Sequence, residues 1–358
     1  MRERPCDVTI PPSPATAQSR CTDPIFIVGT ERSGSNLLRL VLNSHSRLFI
    51  PHPPHIMNLM KPFANGYAGR FRELTADVCR LVAWHTFPWE VRLEVDAVLA
   101  LCDGERDLFA VYAAAHELYR RKSGKARWGC KSTFMINEVE RVLRTFPDAR
   151  IIHLVRDPRD VAVSARSSVF NHFHPWNVAH LWKHEQQKAI RLHETLGPET
   201  IMRLRYEDLL ADPEAQVRAV CNFLNEAYEP TMLRFFDTPE AKKSASLSAD
   251  WRNTGSDIKR DNTRKFVTSL TPHEIAIIEG VAELQMAWFD YEPTASPQAR
   301  LAAARPSRVE RLRYAFDEWR WQLRAELRSL RGDRNWPLRL RKWLLLRAYR
   351  LKARLRGA

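Results

Sequence analysis

The stretch from residue 24 to residue 42 constrains the fold of this chain more than any other. A short apolar run, Ile25–Val28, ends in Gly29 and is followed by a loop of small residues. Apolar residues then recur at helical spacing, at Leu37, Leu38, Val41 and Leu42. The pattern predicts a buried strand, a tight turn and the start of a helix.

The turn has the chemistry of an anion site. The amides of Ser33, Gly34, Ser35 and Asn36 open the helix and therefore have no acceptor within it. The helix dipole is positive at this end. A phosphate or sulfate fits such a turn. Nucleoside-triphosphate loops end in Gly-Lys-Ser/Thr, whereas the basic residue here, Arg32, comes before the glycine. A P-loop kinase is therefore the alternative interpretation, and a purely structural turn is another.

A second motif lies more than a hundred residues downstream. Ile151–Val155 is another buried-strand run, Arg156 follows it, and Pro158 suits a first helical turn. Ser164 lies one turn beyond Val161. If the sheet is parallel, Arg156 lies beside the first loop, at the carboxyl edge where open α/β sheets bind ligands.

Together, the segments Thr30–Leu38 and Arg156–Ser164 resemble the 5′-phosphosulfate loop and the 3′-phosphate site of sulfotransferases that use 3′-phosphoadenosine 5′-phosphosulfate (PAPS). The resemblance extends from about Asp23 to about Glu292. It implies an α/β domain over residues 23–296 with a P-loop-like sulfotransferase fold, in which helices cover both faces of a parallel central sheet. It also implies transfer of a sulfuryl group from PAPS, the co-substrate, to an acceptor hydroxyl, without a metal.

The resemblance assigns roles to individual residues. Arg32 and the amides of Ser33, Gly34, Ser35 and Asn36 hold the 5′-phosphosulfate. Arg156 and Ser164 hold the 3′-phosphate, and Tyr206 lies near the adenosine. Lys131 matches the lysine that follows a strand and stabilises charge on the leaving oxygen.

Two histidines stand on a proline-stiffened turn after the first helix. His52 and His55 lie within Pro51–Ile56, and prolines forbid a helix there. A histidine that titrates near neutrality suits removal of a proton from an acceptor hydroxyl. Relatives supply a glutamate or histidine from this region, so either His52 or His55 is the expected base, with His52 favoured. Both can instead cap the next helix.

The segment from Ser246 to Asn262 is similar in spacing to a flexible loop of tyrosylprotein sulfotransferases that closes over the cofactor. Lys259, Arg260 or Arg264 is then expected to clamp the 3′-phosphate; the sequence does not decide which, and Lys259 is taken as the site residue. Asn253 stands where those relatives have serine. The rest of the acceptor region does not match them, so the sequence does not support tyrosine as the acceptor.

The last 62 residues differ in charge from the rest of the chain. Residues 297–358 contain 18 Arg or Lys and 5 Asp or Glu, a net charge of +13 out of the total of +14. Leucine and tryptophan alternate with the basic residues near the end. A basic helix of this kind suits an anionic membrane surface. Nucleic acid is a less favoured polyanion, and a partner protein or a solvated helix is a further alternative. A non-catalytic adaptor remains a rival function.

The start of the chain and its cysteines bear on cellular location. Residues 1–22 are proline-rich and read as a flexible leader without the apolar core of a signal peptide. No apolar run reaches the length of a membrane span, so a cytoplasmic protein is expected, with peripheral membrane contact through the tail. The six cysteines lack metal-ligand spacing and are expected to be reduced. The sequence leaves the acceptor and the oligomeric state open.

Overall fold

A computed structural model describes residues 19–102, 104–167, 172–247, 253–332 and 336–356. Most of the predicted leader and part of the predicted cofactor loop, residues 248–252, lie outside these ranges. Five strands pair in parallel within them: β1 Ile25–Val28, β2 Leu48–Phe49, β3 Arg127–Lys131, β4 Arg150–Val155 and β5 Ile201–Arg205.

The strand order is β2-β3-β1-β4-β5, so β1 lies at the centre between β3 and β4. Ile27 of β1 is in register with Lys131 on one side and with Ile152 on the other. The carboxyl ends of the three strands therefore meet at one edge. Parallel strands need crossover connections, which helices supply here, and the predicted α/β fold with a parallel sheet is confirmed.

The helices of the first half are α1 Ser35–Asn43, α2 Ile56–Met60, α3 Phe71–Ala83, α4 Val95–Leu99, α5 Leu108–Ser123 and α6 Val139–Thr145. Those that follow β4 are α7 Pro158–Ser167, α8 Pro175–Thr195, α9 Tyr206–Ala211, α10 Pro213–Leu224, α11 Pro239–Leu247, α12 Phe266–Ser269 and α13 Pro272–Trp288. Three more complete the chain: α14 Pro297–Ala303, α15 Arg308–Gly332 and α16 Trp336–Leu355. Short 3₁₀ helices span Lys61–Tyr67, Thr133–Asn137 and Pro230–Asp237.

The sheet is buried on both faces, which explains the uninterrupted apolar run of β1. Ile25 and Ile27 belong to the core beneath α1, whereas Phe26 and Val28 belong to the core on the opposite face. Successive side chains of a strand point to opposite faces, so both faces require apolar residues. This packing fixes the carboxyl end of β1 in place.

The basic tail is fastened to the domain rather than extended from it. On α15, the Tyr314 ring stacks on His174 with centroids 4.3 Å apart, and Glu318 accepts the His174 amide. On α16, the Tyr349 hydroxyl donates to the Asp77 carbonyl at 2.8 Å, and Lys352 pairs with the Asp77 carboxylate at 2.6 Å. Helix α14 begins at Pro297, and the division into a domain and a tail at this residue stays a prediction.

Candidate active site

Gly29 brings the end of β1 against β4. Its φ is +146°, and a Cβ there would lie 2.1 Å from the Leu154 carbonyl oxygen. An added side chain would therefore push the two strands apart. The loop that follows turns back through Arg32, which has a φ of 70°, and α1 begins at Ser35 with Gly34 at its N-cap.

The loop lies directly on the Tyr206 ring. A Cβ on Gly34, whose φ is +87°, would lie 2.2 Å from a carbon of that ring. The Tyr206 hydroxyl accepts a hydrogen bond from Asn262 Nδ2 at 2.7 Å, and the Arg156 guanidinium lies over the ring, 4.5 Å from its centroid. Tyr206 therefore links the first loop, Arg156 and the loop after residue 253.

Direct hydrogen bonds join the two sequence motifs. Arg32 Nε donates to Ser164 Oγ at 3.1 Å, and Arg156 Nη1 donates to the Arg32 carbonyl at 3.0 Å. Arg156 Nη2 donates to the Asn262 carbonyl at 3.1 Å. The residues that the resemblance assigns to the two ends of one nucleotide thus lie at one edge of the sheet.

The loop leaves several polar groups for a ligand. The Ser33 amide donates to the Thr30 carbonyl at 3.3 Å, so this one of the four expected amides has an acceptor within the turn. Within the described residues, the amides of Ser35 and Asn36 meet no backbone acceptor. Ser33 Oγ, Asn36 Nδ2 and Arg156 Nε are buried there without a hydrogen-bond partner. Buried polar groups are rarely left unpaired in proteins, so this arrangement suits an anionic ligand.

A cavity of about 460 Å³ opens between these elements. Five cationic residues line it: Arg32, Lys131, Arg156, Lys259 and Lys265. Asp160 and Asp257 are its acidic lining residues. Its volume falls in the range of small-molecule sites, and the excess of positive charge favours a polyanion.

Lys131 is the last residue of β3 and reaches this cavity. Burial lowers its pKa from the ordinary lysine value to about 8. The nearby charges of Arg39 and Arg32 lower it further, whereas Glu31 acts in the opposite direction. A cation destabilised in this way gains most from a negative charge brought next to it.

The two predicted histidines lie together, but outside the residues that line the cavity. His52 is buried with its ring stacked on Phe87 at 4.3 Å, and His55 is the N-cap of α2 with a φ of 52°. Burial holds the pKa of both imidazoles well below the usual value, and the positive charge of Lys131 contributes to each shift. Both rings are therefore neutral at physiological pH, and the sequence-based expectation of a histidine that titrates near neutrality is not met, because burial disfavours the protonated form.

A third histidine, His85, completes the group and was not identified from the sequence. Its ring centroid lies 6.0 Å from those of His52 and His55. Burial lowers its pKa to about 3, with a further contribution from Lys342 of α16. His85 comes from the end of α3, and no spacing in the sequence relates it to the other two.

The loop after residue 253 closes the remaining side of the cavity. Lys259 lines it and donates to Asn253 Oδ1 at 2.9 Å. The alternative clamps, Arg260 and Arg264, are not among the lining residues.

Sequence reasoning missed two residues that hold this loop in place. Asn262 binds Arg156 and Tyr206, and Asp160 accepts the amides of Arg264 and Phe266 at 2.7 and 3.0 Å. Asp160 belongs to the second motif, so its position in that motif could have identified it. No cluster of three or more potential metal ligands is present among the described residues.

Comparisons with known proteins agree with this arrangement. The profile of the sulfotransferase family matches residues 24–230. An uncharacterized protein of Aquifex aeolicus is 28% identical over 279 residues, which are 73% of this chain and 33% of that protein. Protein-tyrosine sulfotransferase A of Caenorhabditis elegans is 24% identical over 295 residues, which are 76% of this chain and 68% of the relative. The chain thus spans about a third of the Aquifex protein.

Two solved structures share the fold. The sulfotransferase domain of the Synechococcus PCC 7002 olefin synthase has a TM-score of 0.55 at 20% identity and covers 77% of this chain and 97% of its own. The sulfotransferase domain of the curacin biosynthetic pathway has a TM-score of 0.52 at 20% identity, with coverages of 77% and 100%. The family profile covers more than half of the residues, from β1 through α10, and includes both motifs at the cavity. The chain belongs to the sulfotransferase family.

Proposed function

We propose that this chain is an enzyme that transfers a sulfuryl group from PAPS to an acceptor hydroxyl. In the reaction, a bond forms between the acceptor oxygen and sulfur, and the bond between sulfur and the 5′-phosphate oxygen breaks. 3′-Phosphoadenosine 5′-phosphate (PAP) leaves, and a base takes the hydroxyl proton. The observation that carries the proposal is the pair of hydrogen bonds from Arg32 to Ser164 and from Arg156 to Arg32.

The residues of the cavity divide between the two ends of the donor. The amides of Gly34, Ser35 and Asn36 and the side chains of Arg32, Ser33 and Asn36 bind the 5′-phosphosulfate. Arg156, Ser164 and Lys259 bind the 3′-phosphate, and Tyr206 lies beside the nucleoside. These groups bind and orient PAPS, and orientation alone contributes several kcal/mol to a reaction of this kind.

Lys131 stabilises the charge that grows on the leaving oxygen. Its position at the end of β3 supports this role, since it reaches the cavity that the phosphate-binding loop also lines. The lowered pKa supports it as well, because burial destabilises the cation and a negative charge brought beside it offsets that cost.

His52 or His55 accepts the proton of the acceptor. Each imidazole is neutral at physiological pH, as a proton acceptor must be, and each is influenced by the charge of Lys131. The single variants His52→Asn and His55→Asn distinguish them, since only the base should lower the transfer rate strongly, by about 10²-fold or more. Wild-type rates in both variants would place the base elsewhere.

A titration tests the donor proposal against a P-loop kinase, which shares the loop. PAP should bind the full chain in the absence of metal, whereas magnesium ATP should bind far more weakly because the loop lacks the Gly-Lys-Ser/Thr end. Tighter binding of magnesium ATP than of PAP would overturn the proposal. Binding of PAP without any transfer from labelled PAPS would indicate the rival adaptor function.

The acceptor is proposed to be a hydroxyl of a carbohydrate or glycolipid. Support comes only from the basic, apolar surface of the last two helices, which suits an acceptor presented at a membrane. Incubation with labelled PAPS and a cell extract, followed by identification of the labelled product, tests this. A labelled protein would contradict it and would favour peptide hydroxyls.

A further inference from the structure

Exposed large apolar side chains are concentrated in the last helices. In the described ranges before α14, Trp84, Val267 and Leu284 are the large apolar side chains with high exposure. Helix α15 alone exposes seven: Val309, Leu312, Phe316, Trp319, Leu323, Leu327 and Leu330. Helix α16 exposes five more: Leu340, Trp343, Leu344, Leu351 and Leu355. Contiguous exposed apolar surface of this extent marks an interaction site.

The exposed residues of α15 form one continuous stripe. They recur every three or four residues, so at 3.6 residues per turn they lie on one face of the helix. The same geometry places four buried residues on the opposite face: Tyr314, Glu318, Ala325 and Ser329. Tyr314 and Glu318 contact His174 of the domain, and Ser329 accepts a hydrogen bond from Arg339 of α16. The helix therefore has one buried face of mixed polarity and one apolar face that is exposed to solvent.

Helix α16 adds positive charge to its exposed apolar residues. It contains seven Arg or Lys and no Asp or Glu, and α15 contains seven and four, so the two helices together carry a net charge of +10. Arg347, Arg350 and Arg354 are exposed between the exposed leucines of α16. Arg347 also lies over the exposed Trp343 ring, 4.1 Å from its centroid.

We propose that the exposed stripe of α15 and the exposed residues of α16, together termed the tail face, bind the surface of an anionic phospholipid bilayer. Leucine and aromatic residues bordered by arginine are typical of helices that lie in the membrane interface, and the positive charge is complementary to anionic headgroups. No helix in the described part of the chain is long and apolar enough to cross a bilayer.

Charge and side-chain shape disfavour a second copy of the chain as the occupant. Pairing two tail faces would bring together two helix pairs that each carry a net charge of +10. In a coiled coil with Val309 at heptad position a and Leu312 at position d, the next two d positions would be occupied by Trp319 and Glu326. Two-stranded coiled coils favour leucine there.

Sedimentation with lipid vesicles tests the proposal on the full chain. The protein should sediment with vesicles of phosphatidylcholine mixed with phosphatidylglycerol, and added salt should release it from them. Its affinity for vesicles of phosphatidylcholine alone should be at least about tenfold lower. The triple variant F316S/W319S/L323S should bind at least about tenfold more weakly. R347Q/R350Q/R354Q should lose the preference for anionic lipid.

The control is V267S/L284S, which removes two exposed apolar side chains from the domain and should bind vesicles like the wild type. PAP affinity and the melting temperature should stay unchanged in every variant, since these residues are exposed and lie outside the donor cavity.

Three outcomes would overturn the proposal. Equal binding to neutral and anionic vesicles would show that the tail face does not recognise anionic lipid. A concentration-dependent dimer, seen by analytical ultracentrifugation without lipid and abolished by the apolar triple variant, would assign the face to a second copy. Binding to duplex DNA but not to anionic vesicles would assign it to nucleic acid. The glycolipid acceptor depends on the tail face, whereas sulfuryl transfer does not, so labelled PAPS assays separate the two failures.

Discussion

At the scale of single residues, the site depends on backbone that only small residues allow. Gly34 adopts a φ of +87° and lies where a Cβ would overlap the Tyr206 ring. Because Gly34 has no side chain, the loop amides can approach the Tyr206 ring and Arg156 closely.

Replacement of Gly34 should lower both ligand affinity and stability by more than backbone strain alone would explain. Gly34→Ala is expected to weaken PAP binding by at least about tenfold and to lower stability by more than the roughly 1–2 kcal/mol of a left-handed alanine. Gly69→Ala is the matched control, since Gly69 has a φ of +70° but nothing within 4 Å of its added Cβ. Titration calorimetry and thermal unfolding measure the difference. Equal effects in the two variants would show that contact with Tyr206 is unimportant.

The charge of Lys131 should govern turnover rather than donor binding. Lys131→Ala is expected to lower the transfer rate by about 10²–10³-fold while the PAP affinity changes little. Because burial lowers the pKa of Lys131 to about 8 in the free enzyme, the cation is lost above that pH, and kcat/KM for PAPS, which reports the ionisation of the free enzyme, should fall there. Lys131→Arg should abolish this alkaline decline. A wild-type rate in Lys131→Ala would remove the residue from the mechanism.

Sequence reasoning identified residues of the site that belong to a local motif and missed those that do not. Arg32 lies in the loop between β1 and α1, Arg156 follows the end of β4, and Ser164 lies in α7. Their convergence therefore follows from a parallel sheet. Asn262 and His85 reach the site through long loops and helix packing. Nothing near them in sequence indicates that contact.

At the scale of secondary structure elements, apolar runs predicted the buried strands, and tertiary packing determined the rest. The two-residue strand β2, Leu48–Phe49, is too short to leave a pattern. On α16, Leu345 is buried whereas the neighbouring Leu344 is exposed. Composition could not distinguish these two leucines, because the partner surface on α3 and the Lys61–Tyr67 helix is remote in sequence.

A buried carboxylate on α3 should anchor α16. Asp77 accepts from the Tyr67 hydroxyl at 2.7 Å and pairs with Lys352 and Arg80 at 2.6 and 2.8 Å. Asp77→Ala removes the buried acceptor that these three groups share. Lys352 keeps its pair with Glu73 and Arg80 is half exposed, so the expected cost is about 2 kcal/mol of unfolding free energy.

The control variant removes a carboxylate from the surface. Asp96 pairs with Arg72, and both side chains are exposed, so Asp96→Ala should unfold at nearly the wild-type denaturant concentration. Chemical denaturation measures both variants. If Asp77→Ala were as stable as Asp96→Ala, the attachment of α16 would not depend on this cluster.

At the scale of the whole molecule, buried neutral histidines should make the fold sensitive to acid. Burial lowers the pKa of His85 and His153 to about 3 and that of His116 and His193 to about 4. The unfolded chain takes up protons near pH 6.5, at which these folded side chains remain neutral. The unfolding free energy should therefore decrease steadily as the pH falls from about 6.5 towards 4.

Thermal or chemical unfolding across this pH range measures the effect. His116→Phe should show a shallower decrease, because a group that binds protons only in the unfolded chain has been removed. His116 lies among Tyr112, Trp89 and Trp128, where an aromatic ring of similar size fits. A stability that is constant from pH 7 to pH 5 would contradict this account.

The division of the molecule into a nearly neutral domain and a basic tail was visible in the sequence, because charge counts need no structure. The docking of that tail beside the histidine group was not, since Lys342 and His85 are more than 250 residues apart. The acceptor could not be predicted from the sequence for the same reason, because the residues around His52, His55 and His85 come from separate segments without a shared motif.

A crystal structure of the chain with PAP tests the central claim most directly. We expect the 3′-phosphate within hydrogen-bond distance of Arg156 and Ser164, and the 5′-phosphate on the amides of Gly34 to Asn36, with the nucleoside beside Tyr206. PAP bound elsewhere, or with only one of its phosphates in this cavity, would contradict the account.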